Sequence, residues 1–327
     1  MRLRIGRRSL SLVLAVLLSA AVGAAPALAA SGTDKCQAQD LTQQGAVNTN
    51  LAAVIAAAQS GDTIQVQGTC TLVNQSIDIA LTITGKSTKV APNPTITAGG
   101  AGQVIIVGYD AAVTLKSLTI KGGVNTTNPD FGGGAIENLG ILTIVGSRLV
   151  GNTGAYGGAI ETLGTLTITD TKINDNHALY QGGAIENLRG TLTVSGTTKG
   201  SSAIAGNTSG GYSGAIDNYD TVVLDGYTTV SNNTAVLDGG AIDSTGSVSL
   251  SGRAAITGNT AGYNGGGIAA AAGSVSLAGN ATITGNTADT LLLGNTGGGI
   301  WAACDVVLTG VTPTNVKGNT PDDVSDC

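Results

Sequence analysis

The chain has 327 residues, including 51 Gly, 6 Pro and few aromatics, and carries 21 acids against 15 basic residues. This acidic balance excludes a polyanion such as nucleic acid as the natural partner. Beyond residue 30 no apolar run is long enough to span a bilayer, so the mature chain is expected to have no membrane span.

Residues 1–29 read as a secretory signal peptide: Arg2, Arg4, Arg7 and Arg8 precede the apolar run "SLVLAVLLSAAVGAA", and Ala27-Leu28-Ala29 is the expected cleavage site. Ser11 stands where a twin-arginine signal needs a second apolar residue, which favours ordinary secretion. Without the four leader arginines, 11 basic residues face 21 acids, a net charge of −10.

Residues 30–60 are expected to form an N-terminal cap. In "NTNLAAVIAAAQSGDTIQV", Asn50 is the N-cap of a short helix running to about Ala58, and a Ser-Gly-Asp turn then leads into a strand. Cys36 and Cys70 lie near this end, Cys304 and Cys327 near the other, and four cysteines permit three pairings. None of the spacings matches a zinc pattern. Export implies disulfides, with Cys36–Cys70 and Cys304–Cys327 as the expected clips on the two caps.

Residues 61–327 repeat. Ile136, Ile160, Ile185, Ile216, Ile242, Ile268 and Ile300 follow glycines at spacings of 24 to 32 residues. Each unit holds alternating stretches such as "TLTIT" and "SVSLS", the signature of short strands bounded by Gly and Asn. One unit cannot bury its own apolar face, but a stack of units can, which predicts an all-β parallel β-helix of about ten coils with strands about 4.8 Å apart. Leu166, Ile168, Leu192, Val194, Val248, Leu250, Val275 and Leu277 are its expected inward columns. A second column, Asn152, Asn176, Asn207, Asn233, Asn259, Asn286 and Asn319, is expected to be structural, its amides bonding from coil to coil.

The "GGAI" units followed by an Asn turn resemble the repeats of the polymorphic outer-membrane proteins. The coil pattern resembles the pectin-lyase-like superfamily, and residues 50–66 are similar to the start of secreted β-helix proteins of the CSLREA type, whose signature here reads "TNLAAV". The resemblance implies a right-handed solenoid, in line with the general rule for parallel crossovers. It also raises the alternative of a polysaccharide lyase or glycoside hydrolase.

Residues at one phase of successive coils lie above one another. Glu137, Glu161, Glu186, Asp217 and Asp243 therefore form an acidic ladder, expected to point outward because strand alternation opposes them to the inward isoleucines. Such a ladder is a solvated face, a row in which some carboxylates have raised pKa values, or a place where calcium bridges neighbouring coils. Phe131, Tyr156, Tyr180, Tyr212 and Tyr263 precede the glycines at a shared phase and form a candidate aromatic platform, suited to the C–H faces of a saccharide.

The single His, His177, and the scattered Asp170, Asp175, Arg148, Lys172 and Arg189 match no catalytic constellation. Thr165, Thr167 and Thr169 recur as Thr191, Thr193 and Ser195, an exposed hydroxyl array that β-propensity explains without an ice-binding role. The reading is a secreted or cell-surface structural or adhesive protein, without catalytic residues or a required cofactor, whose partner is an extracellular glycan or another cell-surface component.

Overall fold

The computed structural model describes residues 36–87, 93–127, 132–288 and 297–325. Residues 1–29, read above as a signal peptide, lie outside these, as do Phe131 and Cys327. The described chain is a parallel β-solenoid of about nine turns with a single helix. Each turn visits up to four stacked sheets. In one coil the chain runs through Ile160–Thr162 on the first face and Thr165–Thr169 on the second. It continues through Lys172–Asn174 on the third and His177–Gln181 on the fourth. The faces contain ten, eleven, ten and six strands, and each strand pairs in parallel with the equivalent strand of the next coil, except at the N-terminal edge.

Alternation within the strands fills the interior. Leu166, Ile168, Leu192, Val194, Val248, Leu250, Val275 and Leu277 are all buried, as are the seven repeat isoleucines. Because neighbouring strands are in register, like side chains stack: Leu142 on Leu166, Leu166 on Leu192, Ile256 on Ile283. Each coil adds three or four aliphatic side chains to a continuous core, and each fully buried Leu, Ile or Val contributes about 1.5–3 kcal/mol of transfer free energy.

The N-terminal end is covered by elements that do not follow the repeat. β1 (Gln37–Asp40) runs antiparallel to β2 (Asp62–Gln67), the first strand of the second face, and so protects an edge that would otherwise present unpaired backbone. Between them α1 (Leu51–Ala57) buries Leu51, Val54 and Ile55 against the first coils, and the Asn50 side chain accepts the Ala53 amide at 3.2 Å as its N-cap. The Cys36–Cys70 disulfide fastens the start of β1 to the third face. Closing a 34-residue loop in the unfolded chain is worth about 4 kcal/mol. Cys304 is also disulfide-bonded.

Candidate functional site

The Asn column is a continuous internal ladder. From Asn152 through Asn286, each side-chain Nδ2 donates to the Oδ1 of the Asn one coil further on, at 2.9–3.0 Å. The same Oδ1 also accepts the backbone amide of the preceding Asn. Asp323 terminates the series, its Oδ1 accepting both the amide and Nδ2 of Asn319 at 2.9 and 3.0 Å. The carboxylate stands in for the next asparagine, since only an acceptor is needed at the last rung.

Two further polar columns flank the core. Asn138 Nδ2 donates to Thr162 Oγ1 at 2.9 Å, Asn187 Nδ2 to Asn218 Oδ1 at 2.7 Å, and Asn218 Nδ2 to Ser244 Oγ at 3.0 Å. At another corner the hydroxyls of Ser147, Thr171 and Ser202 each accept a backbone amide from the coil before. Stacking alone did not single out these columns, although the first is written in the residue after each acid: IEN, IET, IEN, IDN, IDS.

The acidic row is in register, Glu137 beside Glu161, then Glu186, Asp217 and Asp243, and it ends at Ala269 and Trp301. Its expected exposure is not found. Glu161, Glu186, Asp217 and Asp243 are 0, 1, 3 and 7 % exposed, and only Glu137 is partly open. The carboxylates do leave the strand on the side opposite the isoleucines, but the glycines that precede each strand fold back against it. A Cβ added to Gly157 would lie 3.0 Å from the Glu161 amide nitrogen, and on Gly239 it would lie 2.6 Å from that of Asp243. Both glycines have positive φ, +56° and +70°. Bare glycine backbone therefore roofs the row, in a conformation that other residues avoid.

Local donors meet several of the acids. The Gly132 amide donates to Glu161 Oε2 at 2.8 Å and the Ser213 hydroxyl to Asp217 Oδ1 at 2.9 Å. Tyr219 lies nearby, 41 % exposed. Its hydroxyl accepts from Gln181 Nε2 at 3.1 Å, and partial desolvation, followed by the charges of Asp217 and Glu186, raises its pKa above the usual phenol value. Adjacent charges about 4.8 Å apart repel by about 0.9 kcal/mol in water and about 3.5 kcal/mol at a protein-like dielectric of about 20. Full ionisation of four buried neighbours thus costs about 10 kcal/mol, as much as the whole stability of a typical domain.

Among the described residues no three His, Cys, Asp or Glu side chains come together as a metal-binding group.

The aromatic row is shorter than its sequence phase suggests. Tyr156 and Tyr180 pack with ring centroids 5.3 Å apart at 41°, and Tyr180 is 51 % exposed. An extra residue between Ala178 and Gln181 shifts the register, so that Gln181, not Tyr180, pairs with Tyr156 and bridges to Tyr212. Between Tyr212 and Tyr263 lies a coil with Leu237 and Asp238 at this phase. The candidate platform is thus a Tyr156–Tyr180 pair with Tyr212 one coil on.

His177 hydrogen-bonds Thr208 through Nδ1 at 2.9 Å, within the Thr column of the fourth face. The hydroxyl array occupies the outer side of the second face, where Thr143, Thr167 and Thr193 stack before Val223 interrupts the line. Among the described residues no helix is long and apolar enough to cross a membrane. Comparison with known proteins finds no matching family model, no matching curated protein and no matching solved structure.

Proposed function

We propose that the chain is an exported, non-catalytic structural or adhesive rod that contacts extracellular glycans along its repeat. The observation that carries this reading is the division of labour within one phase of the coil. The acids that would do chemistry are sealed under glycine backbone as part of the solenoid, while the neighbouring Tyr156–Tyr180 pair stands at the surface. Paired rings on adjacent rungs offer flat apolar faces of a size that suits the C–H face of a sugar. Export is supported by the N-terminal leader sequence and by the Cys36–Cys70 disulfide, a bond that persists in oxidising compartments. The GGAI repeats support assignment to the right-handed pectin-lyase-like solenoids.

The test is affinity electrophoresis of residues 31–327 through gels containing neutral polysaccharides. Retardation that is lost in Tyr156→Ala/Tyr180→Ala, with an unchanged melting temperature, is the expected result. Equal retardation of both proteins removes the aromatic pair from the reading.

A further inference from the structure

We infer that a saccharide subsite lies at the N-terminal end of the acid row, in a polar cavity beside Glu137, and that it takes one uncharged pyranose unit. The inference rests on the glycan reading above and places a specific contact on residues other than the tyrosine pair.

The cavity has a volume of about 580 Å³, within the range of small-molecule sites. Its chemistry differs from the rest of the rod. Glu137 is the one acid of the row that is not buried, and here it is held rather than merely exposed. Gln103, itself 6 % exposed, donates Nε2 to Glu137 Oε2 at 3.2 Å. Gln103 is fixed in turn, its Oε1 accepting from Asn125 Nδ2 at 3.1 Å and its backbone amide donating to Asn74 Oδ1 at 3.0 Å. One amide, Gln103, itself held by Asn74 and Asn125, therefore fixes the carboxylate that lines this space.

Ile106 occupies the acid's own phase one coil earlier, directly beside Glu137, and Val124 lines the same cavity. Apolar carbon thus adjoins an oriented carboxylate and fixed amides. A pyranose needs this combination: its C–H face lies on aliphatic carbon, and its vicinal hydroxyls donate to a carboxylate and exchange hydrogen bonds with amides. Among the described residues the lining includes no basic side chain, so a uronic acid would bring an uncompensated negative charge beside Glu137.

The test titrates the mature chain with neutral hexaoses (cello-, laminari- and chito-hexaose) and with a galacturonate hexamer, following binding by calorimetry. The variants are Glu137→Gln, which keeps the shape and removes the charge, and Ile106→Trp, which fills the cavity. Both are checked for an unchanged melting temperature. The expected result is that a neutral hexaose binds and that each variant weakens it about tenfold or more, as expected when a charged hydrogen-bond partner or the space itself is lost. Binding that survives both variants but fails in Tyr156→Ala/Tyr180→Ala leaves the glycan reading intact and overturns the subsite. Preference for the galacturonate hexamer also overturns it, and no binding by the parent chain overturns both.

Discussion

Replacing Glu186 by Gln separates a buried acid row from a solvated one. Glu186 sits in the middle, between Glu161 and Asp217, and is 1 % exposed. On a solvated face each neighbour repels it by about 0.9 kcal/mol at most, and salt reduces that further. In the buried row each charged neighbour costs about 3.5 kcal/mol at a dielectric of about 20, and salt in the solvent screens it little. Gln keeps the size of Glu and removes its charge. The variant is therefore expected to exceed the parent by about 2–3 kcal/mol at pH 7, in low and in high salt alike. Urea unfolding at pH 7, in low and in 0.5 M salt, measures this difference. Equal stability of the two proteins, or a gap that salt abolishes, would refute burial of the row as an electrostatic constraint.

Other expected outcomes follow from the same coil geometry. Asn207→Ala removes the acceptor of both the Asn176 amide and its Nδ2, leaving them buried, and should cost about 3–5 kcal/mol in urea unfolding; a loss below 1 kcal/mol would mean that the ladder is decorative. Gly239→Ala drives a Cβ to 2.6 Å from the Asp243 amide, whereas Gly151→Ala meets nothing within 4 Å at a similar positive φ. The first should lower the melting temperature far more than the second, whose cost is about 1 kcal/mol. The Asp170 carboxyl is held below its ordinary pKa by the Ser201 hydroxyl and by the Thr197 amide and hydroxyl. Its contribution is thus present above the unfolded pKa and lost as pH falls through the lower folded value, so Asp170→Asn should flatten the acid limb of the stability profile below about pH 4.

The solenoid was legible because its causes are local and repeated. Thr165–Thr169 and its equivalents alternate with period two, and the 24- to 32-residue spacing admits one way to bury Leu166 and Ile168, against Leu142 and Leu192. The Asn ladder was legible for the same reason: one residue type recurs at one corner and carries both a donor and an acceptor. The fate of the acids was not. Alternation says on which side of its own strand Glu161 leaves, and that sense was right, but it does not say what chain covers that side. The sign lay in the preceding glycines, whose missing Cβ lets backbone close over the carboxylates. The broken aromatic row has a comparable origin. The extra residue near Tyr180 changes register locally, and equal spacing from a glycine motif cannot register such a bulge.

The measurement that bears most directly on the proposed role is co-sedimentation of residues 31–327 with insoluble neutral polysaccharide, combined with analysis of the soluble fraction for released sugars. Retention of the parent chain with no soluble product is the expected result. Unsaturated or new reducing-end sugars that increase with time, or a protein that stays wholly in solution, would contradict a non-catalytic glycan-contacting rod.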